Sequence, residues 1–220
     1  MQTYFYNFEN KRIDFFEYIF YLPESVKKQD SIPLLLFLHG AGENGPEFKW
    51  MYNNGFPKYL EAGEEFPCAI VCPQCPEGYT WNMLTFEVKE FVDYIVKEHG
   101  IDPTRVSITG LSMGGFGTWE MVLSYPDFFS AAAPICGGGM GWRLYFGSVK
   151  TPIWAFHGSD DPIVPLSASL DMYNSLKRKG EKLRLDIYHG EEHEIWDSVY
   201  HTTKVIEWLT SKEPKAYGIF

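Results

Sequence analysis

Arg105-Val106-Ser107-Ile108-Thr109-Gly110-Leu111-Ser112-Met113-Gly114-Gly115 is the stretch that decides the fold. A β-branched run leads into Gly-x-Ser-x-Gly and a helix-forming sequence follows. The segment therefore predicts a strand, a sharp turn and a helix, with a serine at the apex. Glycines two before and two after the serine remove Cβ atoms that would collide in so tight a turn. The turn forces the serine backbone into a strained conformation and exposes its Oγ. Ser112 is the candidate nucleophile.

A serine hydroxyl is a poor nucleophile at neutral pH, so it needs a base within hydrogen-bond reach and a third group that fixes the base's tautomer. Candidates for both follow in the chain. His157-Gly158-Ser159-Asp160-Asp161-Pro162-Ile163-Val164-Pro165 comes after the apolar segment Pro152-Ile153-Trp154-Ala155-Phe156, and Gly190-Glu191-Glu192-His193 comes after Leu183-Arg184-Leu185-Asp186-Ile187-Tyr188. The order serine, acid, histidine, each on a loop beyond a predicted strand, is that of the α/β-hydrolase fold among the unrelated serine-hydrolase arrangements.

Of the six histidines, His39, His99, His157, His189, His193 and His201, the base must lie beyond the acid on the loop after the last strand. His189 belongs to the strand end and His201 to the region of the final helix, which makes His193 the best placed. Asp160 and Asp161 compete for the acid. Pro162 pushes Asp161 toward an extended conformation, favouring Asp161 and leaving Asp160 as a turn former.

Attack on an ester carbonyl develops an oxyanion that needs two donors. The N–H of Met113, directly after the nucleophile, supplies one. The second is expected from the loop His39-Gly40-Ala41-Gly42-Glu43-Asn44-Gly45, with Ala41 N–H as the choice. His39 is expected to hold that loop by a hydrogen bond rather than to take part in the reaction.

At 220 residues, 45% of them hydrophobic and 17% aromatic, the chain can bury a substantial core and fits one domain over 1–220. No linker, repeat or low-complexity stretch divides it. A formal net charge of -10 argues against binding a phosphate backbone, which requires a basic face, so no nucleic-acid partner is expected. No apolar run approaches the roughly 20 residues of a membrane helix. Met1-Gln2-Thr3-Tyr4-Phe5 lacks the basic start and cleavage site of a signal peptide, which reads as cytoplasmic, although a secreted mature form restarted at methionine would look the same. Cys68, Cys72, Cys75 and Cys136 read as buried or half-buried thiols, because Cys72-Pro73-Gln74-Cys75 has no second ligand pair to make a metal site.

The first forty residues alternate in the manner of antiparallel edge strands, Thr3-Tyr4-Phe5-Tyr6 and then Phe15-Phe16-Glu17-Tyr18-Ile19-Phe20-Tyr21, ended by Pro23. Pro33-Leu34-Leu35-Leu36-Phe37-Leu38 is unbroken apolar, as a parallel strand covered on both faces should be. Further runs at 69–72, 106–109, 131–135, 152–156 and 183–188 alternate with helical periodicity at 86–96, 167–179 and 203–209. The pattern is a doubly wound, mostly parallel α/β sheet with functional loops at the carboxyl ends of its strands. About sixteen residues separate Ile135 from Pro152. That is too little chain for a large cap domain, and an open cleft is expected.

Leu38-His39-Gly40-Ala41-Gly42-Glu43, Pro73-Gln74-Cys75-Pro76, Gly110-Leu111-Ser112-Met113-Gly114-Gly115, His157-Gly158-Ser159-Asp160-Asp161-Pro162 and Glu192-His193-Glu194-Ile195-Trp196 together resemble the esterase branch of the α/β-hydrolases. The likeness is to phospholipase/carboxylesterase-like and feruloyl-esterase-like enzymes and to the compact catalytic domains of prolyl-oligopeptidase-like hydrolases, over roughly residues 30 to 210. It implies a triad of Ser112, Asp161 and His193, an oxyanion hole at Ala41 and Met113, and a small-molecule or carbohydrate-linked ester as substrate. Neither metal nor organic cofactor is implied. The loop carrying Trp81 often borders the site in these families, so Trp81, Trp142 and Trp196 are candidate substrate contacts beside Tyr79. These 220 residues depart from the prolyl-oligopeptidase-like pattern in having no propeller domain to gate peptides, so peptide hydrolysis is not the expected activity.

Overall fold

The computed structural model describes residues 4–7 and 16–212. Eight strands form one sheet: β1 Tyr4–Asn7, β2 Glu17–Tyr21, β3 Ile32–Leu38, β4 Ala69–Pro73, β5 Ile101–Leu111, β6 Ala131–Ile135, β7 Ile153–Gly158 and β8 Leu183–Tyr188, in the spatial order β1-β2-β4-β3-β5-β6-β7-β8. β1 pairs antiparallel with β2, and β2 with β4. The remaining six strands run parallel. The expected antiparallel edge is thus present, while Thr3 and Phe15, assigned to it from the sequence, lie outside the described residues.

The helices are α1 Glu24–Lys27, α2 Gly55–Glu61, α3 Thr85–His99, α4 Met113–Ser124, α5 Ser167–Lys179, α6 Trp196–Thr202 and α7 Val205–Leu209. Side chains alternate across a strand, and β3 shows what that does here. Leu34, Leu36 and Leu38 pack on one face with Phe91 of α3, Trp119 of α4 and Met172 of α5. Leu35 and Phe37 pack on the other with Phe56 of α2, Val199 of α6 and Leu209 of α7. Both faces are covered, which is why the strand carries no polar residue.

Two elements differ from expectation. β5 begins at Ile101, several residues early, because Ile32 and Ile101 pair before a register irregularity lets Leu34 pair with Val106. The helix expected over 203–209 starts at Val205, and a separate α6 precedes it. Thr203 is extended, and its Oγ1 accepts the Val205 N–H at 3.1 Å, so it starts the second helix instead of continuing the first.

Between β6 and β7 the chain forms one short 3₁₀ turn, Gly141–Tyr145, in line with the expected lack of a large cap. Among the described residues no helix is long and apolar enough to cross a membrane.

Candidate active site

The Gly-x-Ser-x-Gly turn joins β5 to α4. Ser112 sits at φ 53° and ψ -115°, a left-handed-range φ that costs a non-glycine residue strain. Its N–H donates to Ile135 O at 3.0 Å. The flanking glycines are there for close approach. A Cβ on Gly114 would stand 1.8 Å from Leu38 O, and one on Gly110 would stand 2.4 Å from Gly114 O. The end of β3 is thereby pressed against the start of α4, which brings the loop after β3 beside the serine.

Ser112 Oγ lies 2.8 Å from His193 Nε2, and His193 Nδ1 lies 2.6 Å from Asp161 Oδ2. Ser112 follows β5, Asp161 follows β7 and His193 follows β8, so three parallel strands, with β6 between the first two, deliver three side chains to one edge. The other carboxylate oxygen, Oδ1, accepts the N–H groups of Ile163 and Val164 at 2.9 and 2.8 Å. Burial alone would raise the Asp161 pKa. The hydrogen bonds from His193 and from the Val164 and Ile163 amides outweigh it and hold the carboxyl below the usual range. Asp160 turns away: its Oδ1 accepts from Ser159 Oγ at 2.6 Å, and its N–H donates to Glu191 O.

The loop after β3 is locked by a second, separate network. His39 is buried, with Nδ1 donating to Gly40 O at 2.6 Å and Nε2 accepting the Cys75 N–H at 2.8 Å. Desolvation pushes its pKa down to about 4, so it stays neutral and keeps one donor and one acceptor. Gln74 Nε2 donates to Glu43 O at 3.1 Å. Ala41 opens the 3₁₀ turn Ala41–Glu43, and Met113 opens α4. The N–H of a first helical residue has no acceptor within its own helix, which leaves both amides available to a ligand.

The three tryptophans fall in different environments. Trp81 is 0% exposed, and its Nε1 donates to His39 O at 2.9 Å. It braces the loop from beneath and has no surface to offer a substrate, a correction to the expectation. Trp196 opens α6 with its ring edge-on to His193, centroids 5.7 Å apart. Trp142 is 58% exposed on the Gly141–Tyr145 turn, beside exposed Met140, Tyr145 and Phe146. All four cysteines are buried thiols.

Sequence reasoning passed over the layer behind the acid. His157 Nε2 is 2.9 Å from Val164 O and 3.3 Å from Asp161 Oδ2, while Nδ1 is 2.7 Å from Ser169 Oγ. Cys136 Sγ donates to His193 O at 3.2 Å. Cys136, His157 and Asp161 place ligand-type atoms within 4.8 Å of one another. Both His157 nitrogens are engaged, and burial pushes the Cys136 thiol up to about 12, a donor set built for protons rather than for a cation. Only the position of His157, four residues before the acid, could have signalled it.

A phospholipase/carboxylesterase family profile matches residues 81–209. The chain belongs to that family. A solved thermostable esterase shares 31% identity and superposes with a TM-score of 0.79 over 94% of this chain and 62% of its own. The poly(3-hydroxyalkanoate) depolymerase C of Paucimonas lemoignei is 53% identical over 121 residues, 48% of this chain and 28% of that protein. The bifunctional acetylxylan esterase/xylanase of Neocallimastix patriciarum is 31% identical over 141 residues, 60% of this chain and 20% of that protein. The matches to these two curated relatives thus cover about a quarter of their length. The fold is that of the α/β-hydrolase esterases.

Proposed function

We propose that the chain, as one domain, is a serine carboxylic-ester hydrolase with Ser112, His193 and Asp161 as its triad. The observation that carries this reading is the unbroken hydrogen-bonded line from Ser112 Oγ through both nitrogens of His193 to Asp161 Oδ2. His193 Nε2 takes the Ser112 proton as Oγ adds to the ester carbonyl, and Asp161 stabilises the imidazolium that forms. Met113 N–H and Ala41 N–H meet the oxyanion, the first assisted by the positive end of the α4 dipole. His193 then passes the proton to the leaving alcohol. Water, activated by the same imidazole, releases the acid from Ser112. Apart from ester and water, every group in this cycle comes from the chain, so no cofactor is invoked.

Small to medium acyl esters, including carbohydrate-linked and aromatic acyl esters, fit this reading. The short β6–β7 connection leaves room for a bulky alcohol, and exposed Trp142 offers a ring-stacking surface. The name of the acetylxylan esterase relative points the same way. The test is hydrolysis of a chromogenic series, acetyl through octanoyl plus feruloyl, by wild type and Ser112→Ala. Serine-dependent turnover is expected. Equal turnover by both proteins, or by neither, would overturn the proposal.

A further inference from the structure

We infer that His157 is a positioning residue for Asp161, so that the line of polar contacts behind the nucleophile has five members, Ser112, His193, Asp161, His157 and Ser169. Its functional consequence rests on the esterase reading, but its geometry does not. His157 lies on β7 with no exposed side-chain surface, and the charged or titratable groups facing it are Asp161, His193 and Cys136.

Counting protons fixes the arrangement. Ser169 Oγ is 2.8 Å from Gly137 O and 2.7 Å from His157 Nδ1, and His157 Nε2 faces Val164 O and Asp161 Oδ2. A neutral imidazole and one hydroxyl bring two protons to four contacts. If Nδ1 carried the ring proton, the bare lone pair of Nε2 would point at a carbonyl and a carboxylate oxygen inside the protein, where such repulsion is costly. The proton therefore sits on Nε2. It is donated to Val164 O at 2.9 Å with Asp161 Oδ2 3.3 Å away, and the Ser169 hydroxyl proton is shared between Gly137 O and Nδ1.

This tautomer turns a second imidazole N–H toward Oδ2, 3.3 Å from Nε2, beside the hydrogen bond from His193 Nδ1, while Oδ1 holds two backbone amides, one of them from Val164, whose carbonyl His157 also holds. Such a carboxylate has no rotational freedom left. Its orientation sets that of His193, and with it the aim of Nε2 at Ser112. A wrong orientation or tautomer of the base in a triad is severe, on the order of 10⁴ in turnover when the acid itself is altered. The effect through His157 is one contact further out and correspondingly smaller.

The experiment compares His157→Leu, His157→Gln and Ser169→Ala with wild type by steady-state kinetics, thermal unfolding and the low-field proton NMR signal of the His193 Nδ1–H. His157→Leu is expected to lower kcat by about tenfold or more with KM within about twofold, and to shift or broaden the His193 signal. The amide of His157→Gln can still donate to Val164 O and Oδ2, so it should recover much of kcat and the signal. Ser169→Ala frees the tautomer and should show a milder version of the leucine phenotype in a folded protein. An unchanged His193 signal in folded His157→Leu, or equal kcat losses in the leucine and glutamine variants, would overturn the inference. Should His157→Leu fail to fold, an unchanged signal in Ser169→Ala would do so. Failure of the esterase reading would show separately, as wild-type protein without serine-dependent turnover but with the His193 signal still responding to position 157.

Discussion

The indole Nε1 of Trp81 donates a 2.9 Å hydrogen bond to the main-chain carbonyl of His39, while the His39 ring stands edge-on to the indole with centroids 5.0 Å apart. One residue thus holds both the backbone and the side chain at the root of the loop whose Ala41 N–H is proposed to meet the oxyanion. Trp81→Phe keeps the ring contact and removes the donor, leaving the His39 carbonyl buried without that partner. A loss of about 1–3 kcal/mol of stability is expected. Because the loop serves a charge present only in the transition state, kcat should fall while KM holds. Urea unfolding and steady-state kinetics on one ester check both, and a KM effect alone would assign Trp81 to substrate binding after all.

Ser112→Ala should abolish turnover by about 10⁶ if the triad acts as a unit. Loss of the hydroxyl leaves the strained turn, the Ile135 contact and the flanking glycines in place, so unfolding should move little. The check pairs ester hydrolysis with labelling by an organophosphonate, followed by mass spectrometry. Wild type should gain one adduct at Ser112 and the variant none. An adduct elsewhere would mean another nucleophile.

Gly114→Ala tests whether the elbow depends on contact rather than on backbone freedom. The new Cβ would stand 1.8 Å from Leu38 O and 2.8 Å from His39 O, backbone atoms that cannot step aside without moving β3. Overpacking of this kind costs typically 1–3 kcal/mol, and more when only backbone can yield. Thermal unfolding should show a loss of at least that size. Activity should fall in whatever protein stays folded, because the displaced segment carries the β3 loop.

How much of this was legible beforehand follows from what each residue does. Gly110, Ser112 and Gly114 could be read because a sharp turn leaves a local signature. β3 could be read because burial on both faces writes an unbroken apolar run. The order of Asp161 and His193 followed from topology, since parallel strands present their carboxyl ends to one edge. Trp81 was misread because a tryptophan near a site looks the same in sequence whether its ring lines the cleft or lies beneath it; only the His39 carbonyl above it distinguishes the two. His157 left only its place four residues before the acid as a signal and Ser169 left none, the two being joined across twelve residues by a contact that exists once α5 has docked on β7. The split of the final helix was equally hidden, because Thr203 serves as a helix start only after α6 has turned the chain.

His39 gives the fold a pH dependence whose sign can be worked out. Its pKa is pushed down to about 4 by burial, against about 6.5 for an exposed histidine. Between those values the unfolded chain binds a proton that the folded one refuses. Stability is therefore complete above about pH 6.5 and falls as the pH drops toward 4, by up to about 3 kcal/mol from this residue alone. Asp161, whose carboxyl lies below its usual range, acts in the same direction but at lower pH, where it becomes protonated. Urea midpoints at pH 7 and 5 should differ in wild type, and the difference should shrink in His39→Gln, which can still donate and accept but does not titrate. An unchanged difference would place the titrating group elsewhere.

Trp142 and Phe146 carry the last prediction. They are 58% and 88% exposed, and with Met140 and Tyr145 they gather four of the exposed large apolar side chains into seven residues. The segment runs along α5: Gly138 lies against Ala168, Gly139 against Met172 and Gly141 against Ser175. From Ala168 to Ser175 the helix rises about 10 Å, so a segment that starts at Gly137 against Gly115 of the elbow carries its aromatic group about that far along α5. A polymeric or long-chain ester spans such a distance, and exposed apolar patches of this kind mark contact sites. Trp142→Ala with Phe146→Ala should leave kcat/KM for a small acetyl ester within about twofold. It should raise KM for an ester-bearing oligosaccharide or a long-chain ester by about five- to tenfold, since a stacked aromatic contact is worth about 0.5–1.5 kcal/mol. Equal losses on both substrates would mean that the segment supports the fold of the site, and no loss on either would remove it from substrate recognition.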